Sequence, residues 1–259
     1  MIAKNKNSYF KLPILDGLEI LDAKNHTLNF PFHTHNTFNI TLVLEQVFST
    51  KTCDRLLQAP AGTIVITNPD EVHATICESK TGNSFLTFYV SPEVIYGLNK
   101  NKPVYFHNKI IEDPLLFQQL VHLSRDLFTL NTEKDNEFVK ALRTLIAKHS
   151  SEAFEEKKIS HHFRKFLDRE LFEKFSLDNA AARFGVDKYK FLRLFKAETG
   201  LTPNNYIILK RIEKCKELLK SQNDLLGIAI ETGFYDATHL CKHFKKITGI
   251  SPFAYQKCL

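Results

Sequence analysis

The sequence predicts two domains of different class: an N-terminal β-barrel followed by a helical element, and a C-terminal all-α domain with two helix-turn-helix units. Three observations carry this. Residues 1–110 hold short branched or aromatic runs broken by turn formers, the hydrophobic period turns helical from Asp113, and the stretch from Ser176 to Tyr255 contains one pattern twice.

In the front part the runs are Leu28 to Phe32, Asn39 to Phe48, Arg55 to Gln58, Thr63 to Asn68, His73 to Cys77 and Ser84 to Val90. Pro60-Ala61-Gly62, Asn68-Pro69-Asp70 and Thr81-Gly82-Asn83 separate them. Short strands at close spacing, without a helical period, indicate a small sandwich or barrel. Beyond Pro114 the leucines Leu116, Leu120, Leu123, Leu127 and Leu130 step by four and three, which makes an apolar helical seam. A second helix is expected from about Glu133 to His149, with Phe138, Leu142, Leu145 and Ile146 on one face. Two heptads fit a helix packed on its own barrel as well as one that meets a partner. The polar, charged run from Ser150 to Lys158 marks a linker, which gives domains of 1–150 and 160–259 with 151–159 between them.

The repeat is the most informative feature. Phe195-Lys196-x-x-Thr199-Gly200-Leu201-Thr202-Pro203-x-x-Tyr206 recurs as Phe244-Lys245-x-x-Thr248-Gly249-Ile250-Ser251-Pro252-x-x-Tyr255, a shift of 49 residues. Upstream, Ala181, Gly185 and Val186 recur as Ala229, Gly233 and Phe234, a shift of 48, so one residue is inserted in the turn that follows. In each copy a short helix ends at glycine. Asp187 or Asp236 then caps a second helix, glycine ends that one too, and Thr-Pro or Ser-Pro starts the next. A small alanine in the first helix lets the second approach closely. The result is a helix-turn-helix, present twice and in register.

At these residues the chain resembles the AraC/XylS family of transcription regulators over roughly Ser160 to Leu259. Arg211 falls where that family carries an arginine on the helix joining its two units. The order His33-x-His35, Gly62, Pro69-x-x-x-His73 resembles, more loosely, the cupin-like sensor barrel such regulators often carry in front. The glycine usual after Leu44 is replaced by Glu45-Gln46-Val47. The resemblance implies a homodimer formed through the helices after the barrel, hence through Leu116, Leu120, Leu123, Leu127 and Leu130. It also implies activation at promoters through contact with RNA polymerase.

Charge agrees with a nucleic-acid role for the repeated half. From Ser160 onward 18 Lys and Arg face 11 Asp and Glu, a balance of +7, while residues 1–159 hold 17 against 18, or −1. All the excess positive charge sits on the duplicated module, as expected of a surface that lies on phosphates. On the second helix of each unit the outward residues should be Lys188, Tyr189, Leu192, Arg193 and Lys196, and then Ala237, Thr238, His239, Lys242 and Lys245. Phe191, Leu194 and Phe195 should face the core. Arg193 suits a bidentate contact to guanine, and Leu192 and Ala237 suit a thymine methyl. Lys188, Lys196 and Lys245 suit phosphates, which position without specifying. The joining helix, read as Pro203 to Lys220, spans about 27 Å at ~1.5 Å per residue. With the flanking units it can set two recognition helices one turn of double-stranded DNA apart, ~34 Å.

For the front domain a small-molecule effector site is expected among His33, His35, Arg55, Glu71 and His73. Cupin enzymes hold metal through such histidines, but Phe38 and Asn39 stand where their glutamate would be, so no metal and no cofactor is expected. A metalloenzyme fused to a DNA-binding tail, and a regulator without any ligand, are the alternatives. No nucleophile elbow or paired-carboxylate arrangement occurs, and 9 glycines leave little for a phosphate loop, so the chain reads as no enzyme. Five scattered cysteines without a C-x-x-C pair, no apolar run of ~18 residues and no apolar leader fit a reducing, cytoplasmic setting away from membranes.

Overall fold

The computed structural model describes residues 5–52, 54–127, 132–152, 162–173 and 175–259. By contact density the chain divides into two compact units, one of residues 1–29, 34–71 and 75–154, the other of 30–33, 72–74 and 155–259.

The front unit is built on a six-stranded antiparallel sheet in the order β1-β2-β9-β4-β7-β11. Its strands are β1 (Lys6–Leu12), β2 (Leu18–His26), β4 (Phe38–Glu45), β7 (Ile64–Thr67), β9 (Asn83–Val90) and β11 (Ile110–Ile111). A four-stranded sheet runs β3 (Phe30–His33), β8 (His73–Ile76), β5 (Phe48–Lys51) and β6 (Leu56–Ala59). The run expected from Asn39 to Phe48 is two strands, broken where Gln46 takes a left-handed φ of 62°, a turn usually given to glycine. β1, β2 and the helix α1 (Pro92–Leu98) are additions to the sequence reading.

The two faces of the large sheet differ in chemistry. In register, Ile40 pairs with Phe88 and Ile66, and Leu42 with Leu86 and Ile64. All of these are buried and belong to one apolar cluster with Leu116, Leu120, Leu123, Leu127, Phe138, Leu142, Leu145 and Ile146. Because strand side chains alternate, Asn39, Thr41, Thr87 and Tyr89 lie on the opposite face. Asn39, Thr41 and Thr87 are buried there, with Thr41 and Thr87 hydroxyls 2.9 Å apart.

The leucine seam therefore needs a correction. It lies on α2 (Pro114–Asp126), which packs with α3 (Thr132–His149) on the sheet's apolar face. Leu116, Leu120, Leu123 and Leu127 are core residues of their own chain, at 3% exposure or less, so a second copy cannot reach them. Leu130 lies outside the described residues. A heptad spacing reports that a stripe is covered, not what covers it. Leu123→Ala is expected to destabilise the front unit by about 3 kcal/mol, measured by denaturant unfolding, without changing the sedimentation of the native protein.

The chain leaves this unit through β12 (Ser151–Glu152), which pairs with β10 (Val104–Tyr105). The first two residues of the expected linker thus belong to a strand pair, with Lys102 and Glu152 in an ion pair 2.6 Å long. The rest, 153–159, lies outside the described residues.

In the second unit the described residues are helical from α4 (His162–Asp168) onward: α5 (Leu177–Arg183), α6 (Lys188–Thr199), α7 (Pro203–Leu218), α8 (Leu225–Glu231), α9 (Ala237–Thr248) and α10 (Pro252–Gln256). α4 ends at Asp168. The expected caps Asp187, Thr202, Asp236 and Ser251 form, and Ser176 and Asp224 cap α5 and α8; all accept from backbone N–H groups of the first turn. Gly200 and Gly249 end α6 and α9 with φ of 72° and 81°.

The copies also match in their cores. Phe195 and Tyr206 rings meet edge-on at 5.6 Å, Phe244 and Tyr255 at 5.5 Å. Thr199 Oγ1 donates to Phe195 O and Thr248 Oγ1 to Phe244 O, at 2.9 and 2.8 Å. Cys215, on the joining helix, is fully buried, and its thiol donates to Thr232 Oγ1 at 3.2 Å. Burial pushes that thiol up to about 11, the mark of a packing residue.

Candidate nucleic-acid interface and front-domain site

Recognition requires a helix held rigidly by one face with the other free, and α6 and α9 satisfy this. Phe191 and Phe195 anchor α6; Leu240 and Phe244 anchor α9; all four are fully buried. Opposite them Lys188, Tyr189, Arg193 and Lys196 are exposed on α6, and Thr238, His239, Lys242 and Lys245 on α9. Leu192 and Ala237 are half-buried. Leu194, expected in the core, is 39% exposed. Lys188 also reaches Asp178 Oδ1 at 3.6 Å, an exposed pair of little energetic weight.

Three basic residues escaped the sequence reading. Lys190 and Lys246 are exposed on the same two helices, and His243 is half-buried one turn after His239. The His239 and His243 rings are 4.6 Å apart, edge to face, and both lie against Phe234. Burial first, then His239, Lys246 and Lys242, lower the His243 pKa. An i, i+4 pair is readable from sequence; its stacking on the turn residue Phe234 is not.

Arg211 of α7 ties the module together. Its Nε donates to Leu171 O and its Nη2 to Glu173 O, both at 2.7 Å, and its Nη1 donates to Gly233 O. One guanidinium thus binds the segment after α4 and the turn of the second helix-turn-helix. Gly233 sits so close that a Cβ would fall 2.7 Å from Phe172 O and 2.8 Å from Arg211 Cζ, whereas the matching Gly185 faces open space. At the other end, Glu198 of α6 accepts from Arg164 N at 3.0 Å, and Tyr206 donates to Asp168 at 2.5 Å.

Of the five residues expected to hold an effector, His33 and His73 pack together in the second unit, their ring centres 4.5 Å apart, and His35 lies against Tyr89 in the first, at 5.3 Å. His33 Nδ1–H donates to Pro31 O at 2.6 Å, which fixes its tautomer because a carbonyl only accepts. Burial foremost, and then His73, bring its pKa down to about 3, so it is neutral. Glu71 belongs elsewhere. It accepts from Asn68 N at 2.9 Å, from Tyr105 Oη at 2.9 Å and from Lys109. Burial raises its carboxyl, but Lys109 and Asn68 outweigh that and hold it below its usual range. Arg55 is exposed in the β5–β6 turn. The buried polar residues Asn39, Thr41 and Thr87 of the inner sheet face were missed, since their alternation reads only as strand.

No helix among the described residues is long and apolar enough to cross a membrane. Known proteins agree with this anatomy. A model of the AraC-like ligand binding domain matches residues 17–147, and one of a helix-turn-helix domain matches 180–257. The transcriptional regulator YbfI of Bacillus subtilis is 26% identical over 237 residues, 86% of each chain. The regulator MtrA of Neisseria gonorrhoeae is 30% identical over 105 residues, 40% of this chain and 35% of MtrA. An apo ToxT variant from Vibrio cholerae superposes with a TM-score of 0.58 at 11% identity, covering 99% of this chain and all of that one, which is a likeness of fold. With its ligand-binding barrel in front and its doubled helix-turn-helix behind, the chain belongs to the AraC family of transcriptional regulators.

Proposed function

We propose that this regulator binds double-stranded promoter DNA through α6 and α9 together, each in one of two successive major grooves, and that an effector in the front barrel tunes that binding. The single observation that carries the DNA reading is the cap-for-cap duplication of a unit whose free face holds Lys188, Arg193 and Lys196 in one copy and Thr238, His239, Lys242 and Lys245 in the other. The joining helix has 16 residues, about 24 Å at ~1.5 Å each, a stiff spacer of the size one turn of DNA demands. Action as an activator through RNA polymerase, and as a homodimer, completes the proposal. A dimer would use the outer faces of α2 and α3, since the leucine seam is occupied.

Selection of bound duplexes from a random pool, with and without candidate effectors, tests this. The effector set includes sugars, amino acids, aromatic acids and, because one ToxT structure holds an unsaturated fatty acid, fatty acids. Recovery of no preferred duplex under any condition would refute the sequence-specific reading. Within a recovered duplex, Arg193→Ala should lose one base preference, about 1–3 kcal/mol at that position. Lys245→Ala should weaken all sequences alike and lower the salt slope by about one.

A further inference from the structure

The two helix-turn-helix copies are not equal in length, and that difference is a single residue. Gly185 and Val186 align with Gly233 and Phe234 at a shift of 48, and the caps Asp187 and Asp236 align at a shift of 49. Tyr235 therefore has no counterpart in the first unit. It is also 90% exposed, above every other exposed large hydrophobic of the described residues. A single exposed apolar side chain is ordinary on a protein surface and by itself says nothing. What sets Tyr235 apart is its position and its mounting.

Its position is the end of the turn that delivers α9, next to the helix's N-terminus, the end of a recognition helix that meets DNA. The insertion reshapes the cap. Asp187 bonds the N–H groups of Tyr189 and Lys190 with φ −71°, while Asp236 is almost fully extended, φ −156° and ψ 174°, and bonds His239 N. Its mounting is rigid on both sides. Phe234 is 4% exposed, with the Arg211 guanidinium 6.0 Å from its ring centre and His239 at 5.5 Å. Asp236 is pinned by a 2.7 Å bond. A phenol that touches almost nothing in its own chain is therefore held beside Thr238 and His239 with little freedom left in the backbone beneath it.

We propose that Tyr235 is a DNA-positioning residue of the second unit, its hydroxyl donating to a backbone phosphate at the edge of the groove that α9 enters. Tyrosine is among the side chains that serve this purpose, and a turn residue off the helix's groove-facing stripe is placed for the strand rather than for the bases. The inference rests on the interface reading above and adds a contact that only the second unit has. It anchors that unit without a formal charge.

The absence of charge makes the proposal testable. Full-length protein is titrated with a duplex recovered from the random pool at several salt concentrations. Tyr235→Phe, which keeps the ring and removes only the donor, should weaken binding about tenfold, as for loss of a hydrogen bond to a charged acceptor. It should leave the salt slope and the base preferences unchanged, because no counterion is displaced by a neutral group. Tyr235→Ala should be at least as weak. Lys245→Ala serves as reference, since it lowers the slope. Wild-type affinity for both tyrosine variants would overturn the proposal. So would a change of preference at one base pair, which would make Tyr235 a base reader. If Lys245→Ala and Arg193→Ala are silent as well, the interface itself is misplaced, a failure distinct from that of Tyr235 alone.

Discussion

Arg211→Ala is expected to abolish specific DNA binding and to destabilise the helical module by about 3–5 kcal/mol. Three backbone carbonyls, of Leu171, Glu173 and Gly233, lose a charged donor at once. An acceptor stripped of its partner costs about 1–3 kcal/mol where water does not replace it, and the Arg211 site is partly open, so the sum falls short of three full penalties. Binding suffers more than stability does. Arg211 holds the turn before α9 against the segment after α4, and a recognition helix misplaced by a fraction of an ångström misses its groove contacts. Arg211→Lys should rescue little, because one ammonium cannot serve three carbonyls in a fixed fork. Thermal unfolding together with DNA titration reads both effects. Native affinity in Arg211→Ala would show that the clamp is dispensable.

The second large effect is one of pH. His33 is neutral when folded, with its pKa at about 3 against 6.5 unfolded. The unfolded chain therefore binds the extra proton between these values, and stability must rise with pH there. The contribution is fully present above pH 6.5 and is lost as pH falls from 6.5 toward 3. At ~1.4 kcal/mol per unit the whole window is worth about 5 kcal/mol, and about 2 kcal/mol is gone by pH 5. Buried His26, also lowered chiefly by burial, acts in the same direction. Chemical unfolding at a series of pH values should show a steep acid limb, and His33→Gln should flatten it by one proton. An identical limb in the variant would mean that His33 is not the group that titrates.

What the sequence disclosed, and what it withheld, follows the range of the forces involved. Caps such as Asp187, Thr202 and Ser251 were legible because a cap is settled within four residues. Ser91-Pro92 carries the same signature before α1 and was equally readable. β1 and β2 were not, since Lys6–Leu12 and Leu18–His26 mix lysine, asparagine and glutamate into their alternation and gain their identity from pairing with each other. The leucines of α2 announced burial but not their partner, which is the sheet face of Ile40 and Phe88. The outward residues of α6 and α9 followed from helical period alone. The three carbonyls under Arg211, and the Tyr105 and Lys109 that meet Glu71, join residues 22 to 40 positions apart, where no local rule reaches.

The inequality of the two copies has a geometric consequence. Two protomers related by a twofold axis read a palindrome, and either end of it is the same. Two tandem copies within one chain, the second carrying Tyr235 and a hemmed-in glycine that the first lacks, have a head and a tail. A single molecule laid along a duplex therefore points, and its target must be an arrow rather than a mirror.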